Sequence, residues 1–210
     1  MKQGRVAQKE RTRGVLVDAA RELLRAGTPP TVAEAAGKAR MSRATAYRYF
    51  PTQESLLVEI SNIAPATQPI ETLLEELPEA DVEKRLLALL DRFNPIVFAE
   101  ETSMRTALRT YLDTWLANQG RGNHAGPVRE GRRMRWLDKV LEPVRRELTP
   151  AQWQRLRCAL ALTLSIDAMV VMKDVCRIES DKEALGVLRW AAVALLRAAL
   201  AESKARKTRK

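Results

Sequence analysis

The chain has 210 residues, enough for one large domain or two small ones, and 46% of them are hydrophobic, so a core can be buried. Aromatics are scarce (5%) while Ala, Leu and Arg dominate, a mixture that favours helix because these side chains lose little rotamer freedom there. The net charge of +10 calls for a polyanionic partner, either nucleic acid or an anionic membrane surface, and one histidine with two distant cysteines argues against a zinc site.

The charge is unevenly placed. Residues 1–50 carry 11 Lys/Arg against 4 Asp/Glu, a net +7; residues 204–210 add +5; the stretch between them nets −2. A merely solubilising charge would be spread along the chain. The N-terminus is polar and basic with no apolar leader, so no signal peptide is expected. The most apolar run, residues 158–172, contains Asp167 and falls short of the roughly 20 residues that span a bilayer. It reads as a core helix of a cytoplasmic protein with no membrane partner.

In chain order, a first helix is predicted over residues 6–26, with Leu16, Ala20, Leu23 and Leu24 on its buried face; Gly27 stops it and Pro29-Pro30 prevents its resumption. Thr31 with Glu34 three residues later is a capping box that opens a short helix over 32–39. Arg40-Met41 turn the chain, Ser42 caps a third helix over 43–49, and Phe50-Pro51 ends it. Thr52 caps a fourth helix carrying Leu56, Leu57 and Ile60. The Pro-rich joint at 64–70 is the expected boundary between a domain of residues 1–64 and a second of 65–203. Helices are predicted there over 71–77, 81–93, 96–119 (entered through Pro95), 128–147, 150–177 and 181–203. Thr149-Pro150 and Asp181 mark two of the starts. Residues 120–127 form a Gly-rich loop that holds the one histidine. The basic stretch 204–210 is expected to be a disordered tail. Cys158 and Cys176 lie 18 residues apart on the predicted 150–177 helix, about 27 Å at 1.5 Å per residue. That is beyond disulfide reach and fits apolar packing, with a redox role as the alternative.

Residues 31–50 (TVAEAAGKARMSRATAYRYF) describe two short helices joined by a tight turn, the length and cap placement of a helix-turn-helix. Val32, Ala35, Ala36 and Met41 are the apolar positions that pack the pair. Ser42, Arg43, Ala44, Thr45 and Arg48 then lie outward at the start and flank of the second helix, the part that enters a major groove. Arg43 can donate two hydrogen bonds to guanine O6 and N7, Thr45 can meet a base edge or a thymine methyl, and Tyr47 and Tyr49 offer hydroxyls to phosphates. The alternative is an ordinary helical hairpin with a solvated basic face. Lys2, Arg5, Lys9, Arg11 and Arg13 precede or open the first helix, either as phosphate or minor-groove contacts or as a solvated arm.

This segment resembles the DNA-binding domain of the tetracycline repressor (TetR) family. The resemblance covers roughly residues 8–60 and is carried by Thr31-Val32-Ala33, by Ser42-Arg43-Ala44-Thr45-Ala46-Tyr47-Arg48-Tyr49-Phe50, and by Pro51-Thr52 with Glu54-Ser55-Leu56-Leu57. It implies an all-α protein: a three-helix DNA-binding domain followed by a helical bundle that binds a small-molecule effector and forms a homodimer, acting as a ligand-released repressor without a cofactor. The DNA-binding positions it implies are Thr31, Ser42, Arg43, Ala44, Thr45, Tyr47, Arg48 and Tyr49. Three departures stand out. Gln53 replaces a usual Lys that meets a phosphate, Ala35 replaces a larger aliphatic residue, and Arg40 replaces a turn Gly, with strain of order 1 kcal/mol or more if that backbone needs φ > 0.

In the C-terminal half, the 150–177 and 181–203 helices carry apolar surface wider than one stripe. Trp153, Leu156, Leu160, Leu164, Ile166, Val170 and Val171 lie on the first, and Leu185, Leu188, Trp190, Ala191, Ala192, Leu195, Leu196 and Ala199 on the second. Such excess fits a four-helix homodimer interface, with both stripes buried within one chain as the alternative. For the effector pocket that the resemblance implies, the candidate lining residues are Phe98, Met104, Leu108, Tyr111, Trp115, Met134, Trp136, Met169 and Met172, with plain core as the alternative. Arg132, Arg133 and Arg135 are candidate partners for Asp167 and Asp174 if those carboxylates are buried. No nucleophile motif, phosphate loop or metal spacing supports an enzyme. An architectural DNA-coating protein without an effector is the other alternative.

Overall fold

The computed structural model describes residues 2–60, 69–77, 81–117, 119 and 131–208, with side chains from residue 8 onward except those of Pro69 and Lys207. Among the described residues the protein is all-α. Its helices are α1 (Lys2–Arg25), α2 (Val32–Lys38), α3 (Arg43–Tyr49), α4 (Gln53–Ile60), α5 (Pro69–Glu76), α6 (Val82–Ala99), α7 (Glu101–Ala117), α8 (Arg132–Leu141), α9 (Pro150–Ala161), α10 (Ile166–Val170) and α11 (Asp181–Thr208). The chain forms two compact units: Met1–Ile63 with Glu100–Val128, and Ala64–Ala99 with Arg129–Lys210. The first crossing of the chain between the units falls between Ile63 and Ala64. However, α7 joins α1–α4, because its Ser103, Met104, Thr106 and Ala107 face is buried and it packs on α1 and α4.

In the first unit, Leu16, Val17, Ala20 and Leu24 of α1 are buried against Val32, Ala35 and Ala36 of α2, Ala46 and Phe50 at α3, and Leu56 and Ile60 of α4. Leu23 is half-buried at the edge of this face. Arg21 Nε donates to the Ile60 carbonyl at 3.3 Å, and Arg25 pairs with Glu100 at 2.8 Å.

In the second unit α6 is the central helix, packing on α5, α8, α10 and α11, while α9 packs on α8 and α11. The expected break before Pro95 does not occur: α6 runs through Pro95 to Ala99. Proline removes one backbone donor and crowds the preceding turn, but Phe93, Asn94, Val97 and Phe98 around it are all buried, and their packing holds the helix together. Phe93 meets Trp136 of α8 edge-on at 5.5 Å between ring centroids.

The single helix predicted over 150–177 is instead broken. α9 opens with a capping box between Thr149 and Gln152 and ends at Ala161. Residues 162–165 are non-helical, α10 restarts with Ser165 as N-cap, and a π turn covers Val171–Val175. The carbonyls freed at the break have partners elsewhere. Asn94 Nδ2, in a side chain 3% exposed, donates to the Thr163 carbonyl at 3.0 Å, and Arg133 Nη1 donates to the Leu164 carbonyl at 2.6 Å. Arg133 thus serves the backbone. Asp167 and Asp174 are exposed, so the premise that they are buried charges does not hold. Cys158 and Cys176 are free thiols, and both are exposed rather than packed in the core.

α11 buries Ala184, Leu188, Ala192, Leu196, Ala199 and Ser203 along one stripe. It is also ion-paired to α6, through Arg189–Asp91 and through Arg197–Glu83 at 2.6 Å. It continues to Thr208, so residues 204–208 are helical where the charge pattern predicts a disordered tail. Lys and Arg are good helix formers and suit a helix C-terminus, and Ser203 donates to the Glu147 carbonyl. By length and composition alone, Asp181–Arg206 is apolar enough to cross a membrane; 28% of that window is buried inside the protein.

Replacing Asn94 with Leu strands the Thr163 carbonyl in the core and should cost about 1–3 kcal/mol in thermal or denaturant unfolding. An unchanged midpoint would show that the break is held by something else.

Candidate nucleic-acid interface

The α2–α3 pair is built by caps at both of its ends. Thr31 accepts from the Glu34 N–H at 3.2 Å, while the Thr31 N–H donates to the Glu34 carboxylate at 2.7 Å. These bonds hold the Glu34 carboxyl below its ordinary value of 4.5. The Thr31 hydroxyl also donates to Glu34, at 2.8 Å, so this side chain is committed to the helix start. At the other end of α2, Arg40 adopts φ 51°, the Arg40 N–H donates to the Gly37 carbonyl at 3.1 Å, and the Met41 N–H donates to the Ala36 carbonyl at 2.9 Å. This is a Schellman closure, and its left-handed position is occupied by Arg instead of the Gly that favours it. Ser42 then caps α3, accepting from the Thr45 N–H at 3.2 Å and donating its hydroxyl proton to Thr45 Oγ1 at 2.8 Å.

One turn of α3 faces inward: Ala46 is fully buried and Phe50 is 3% exposed. The helical repeat therefore turns Ser42, Arg43, Ala44, Tyr47 and Arg48 outward, and all five are exposed. Thr45 and Tyr49 are half-buried. Tyr49 packs against the core with Arg48 5.6 Å from its ring centroid, which leaves it less open than Tyr47. Of the eight residues nominated from the sequence, these seven lie together along α3 and its cap, and Thr31 lies at the start of α2.

The charges of this unit divide into two groups. Arg13 pairs with Glu59 at 2.7 Å and lies 5.3 Å over the Phe50 ring; Lys38 pairs with Glu22 at 2.9 Å; Arg25 pairs with Glu100. Glu22 is held below its ordinary carboxyl value chiefly by the Lys38 ammonium. By contrast Arg40, Arg43 and Arg48, together with Lys9 and Arg11, make no ion pair among the described residues. Besides its left-handed backbone, Arg40 has an unpaired guanidinium that joins those of Arg43 and Arg48 on the same short stretch. Arg13, read as part of a basic arm, is instead a packing element: its partners Phe50 and Glu59 are 37 and 46 positions away, with no local signal. The backbone of α1 is helical from Lys2, and the side chains of Lys2 and Arg5 lie outside the described residues. Gln53 is the half-buried first residue of α4, where Thr52 accepts from the Ser55 N–H at 3.1 Å.

The nominated pocket residues fall in two sets. Met104, Leu108, Tyr111 and Trp115 are on α7 in the first unit, with Met104 buried, Leu108 and Tyr111 half-buried and Trp115 55% exposed. Phe98, Met134, Trp136, Met169 and Met172 are in the second unit; all but the half-buried Met134 are core. Residues 120–127, with the one histidine, lie outside the described residues. Among the described residues no group of His, Cys, Asp and Glu is placed to hold a metal.

No protein-family model matches this chain, and a search of curated proteins returns no relative.

Two outcomes are expected. Arg40→Gly relieves the left-handed strain and should raise stability by about 1 kcal/mol, seen as a higher Tm. Glu34 has a lowered pKa, so its cap contribution is complete above pH 4.5 and is lost as pH falls through the lowered value. Glu34→Ala should flatten that acid limb in a circular-dichroism titration; an unaltered limb would place the acid sensitivity elsewhere.

Proposed function

We propose that this chain is a DNA-binding transcriptional regulator of the TetR type. It would act in the cytoplasm as a homodimer on a near-palindromic operator and be released by a small-molecule effector. The observation that carries the reading is the set of unpaired cations Arg40, in the turn, and Arg43 and Arg48, on a helix whose opposite face is anchored in a core, beside exposed Ser42, Ala44 and Tyr47. Elsewhere in the same unit Arg13, Arg25 and Lys38 are neutralised by carboxylates. An outward face of arginines and small polar groups suits phosphates and base edges, since Arg matches guanine O6/N7 as a fork and Ser, Thr and Tyr hydroxyls reach either.

Dimerisation is supported by exposed apolar side chains on α11 outside the buried stripe. Trp190, opposite that stripe, is 72% exposed, and Val187 on its flank is more than a third exposed. Gly186 on the same helix costs roughly 1 kcal/mol relative to Ala, and among the described residues nothing lies within 4 Å of where its Cβ would sit, so a partner's close approach gives it a reason. A symmetric pair would present two copies of α3 about 34 Å apart, one turn of DNA. An effector that binds better to the conformer with the wrong spacing would then release the operator.

The test is a gel-shift titration on the DNA beside the protein's own gene, with random DNA as competitor. Arg43→Ala should cost about 1–3 kcal/mol and relax sequence preference. Arg48→Ala should weaken all sequences alike and lower the salt slope by about one. Equal affinity for operator and random DNA would favour a non-specific DNA-coating role, and no binding at low salt would remove the proposal. Separately, Trp190→Asp should convert a dimer to a monomer in sedimentation analysis; a parent chain that is already monomeric removes the paired-helix mechanism.

A further inference from the structure

Arg85 of α6 is a charged side chain only 6% exposed. Its Nη1 donates to the Leu77 carbonyl at 2.9 Å, just beyond α5, and its Nη2 donates to the Lys139 carbonyl at 3.0 Å, in the last turn of α8. Both acceptors lie at helix C-terminal ends, whose dipoles favour a cation. That explains why Arg85 is tolerated, but it does not complete its bonding. Nε has no hydrogen-bond partner, and no carboxylate pairs with this guanidinium among the described residues. Buried arginines are normally paired, because a buried charge is costly without an opposite one.

Arg85 forms part of the wall of a cavity of about 270 Å³, lined also by Glu142, Pro143 and Arg146. Arg146 and Glu142 are exposed, and neither makes an ion pair among the described residues, although they are four positions apart. Among the described residues two guanidinium groups face one carboxylate there, so this lining is net positive. Its volume suits a small molecule, and Pro143 supplies an apolar wall. Guanidinium forks match the paired oxygens of carboxylates and phosphates.

We propose that this cleft binds a small molecule through one oxyanion group, carboxylate or phosphate, held between Arg85 and Arg146. Leu77 and Lys139 fix the Arg85 head before the ligand arrives, so little order is lost on binding. Glu142 disfavours multiply charged anions. The site lies within the second unit and is independent of the DNA-binding reading.

Thermal unfolding of the full chain in sodium phosphate and in sodium acetate, against sodium chloride of matched ionic strength, tests this. The effective anion should raise Tm by about 3 °C per tenfold increase above its Kd, and which of the two acts identifies the oxyanion class. Arg146→Gln removes an exposed side chain without hydrogen-bond partners, so it should keep the Tm in chloride and lose the anion response. Glu142→Gln should respond at lower anion concentration. The double variant Arg43→Gln/Arg48→Gln, altered in the other unit, should keep the full response. The proposal is overturned if neither anion exceeds chloride, if Arg146→Gln responds like the parent, if Glu142→Gln needs more anion, or if the double variant loses the response.

Discussion

Three alanine methyl groups, those of Ala35, Ala36 and Ala46, are fully buried in the core that Leu16, Val17, Ala20 and Leu24 of α1 form, and the orientation of α3 depends on that packing. Small side chains let short helices approach closely. A seven-residue helix has little intrinsic stability, so its direction is set by what it buries and by how its ends are capped. With Ala46 and Phe50 inside, the helical repeat leaves Arg43, Ala44, Tyr47 and Arg48 nowhere to point but outward. The Schellman closure at Arg40 sets the turn between α2 and α3. The strain of a left-handed arginine is tolerated because both backbone bonds of the closure, from Arg40 N–H and from Met41 N–H, are made, and the same conformation leaves an unpaired guanidinium beside the helix start.

The two units manage charge in different ways. Among the described residues the first leaves Lys9, Arg11, Arg40, Arg43 and Arg48 without ion pairs while neutralising cations near its core. In the second, arginines of α11 pair with acids of α6, and buried polar groups are spent on backbone carbonyls. Asn94 and Arg133 satisfy the α9–α10 break, and Arg85 ties the end of α5 to the end of α8. Each of these carbonyls would otherwise be an unmet acceptor in or near an apolar core. The break also explains why Val171, on the predicted stripe, is 43% exposed: once the helix is interrupted, a stripe drawn for a continuous helix no longer lies on one side.

Much of the fold was legible because its signals are local. The Thr31–Glu34 box, the Ser42 cap, the Gly27 stop and the Thr149–Pro150 start each act over three or four residues, and each helix start or stop lies close to where these residues place it. The outward set on α3 follows from the same short-range periodicity. Readings that needed distant partners went astray. Pro95 alone argues for a helix end, and only the buried neighbours of α6 carry the helix through it. Cys158 and Cys176 are apolar enough to suggest core, but the stripe that faces inward is decided by packing partners far along the chain.

By itself, then, the sequence determined an all-helical chain, the caps and turn of the α2–α3 pair, and a concentration of positive charge in the first fifty residues, since all of these follow from composition and near-neighbour chemistry. The tertiary structure alone decided that α7 joins the first unit, that the 150–177 stretch breaks, that Arg13 is neutralised while Arg40, Arg43 and Arg48 are not, and that Arg85 is buried beside a cleft. Each of these depends on groups brought together across 30 to 70 positions or more, as with Arg133 and Leu164 (31 apart) or Asn94 and Thr163 (69 apart). Hydrophobic burial is non-directional, so pattern alone cannot say which distant partner will close a given contact.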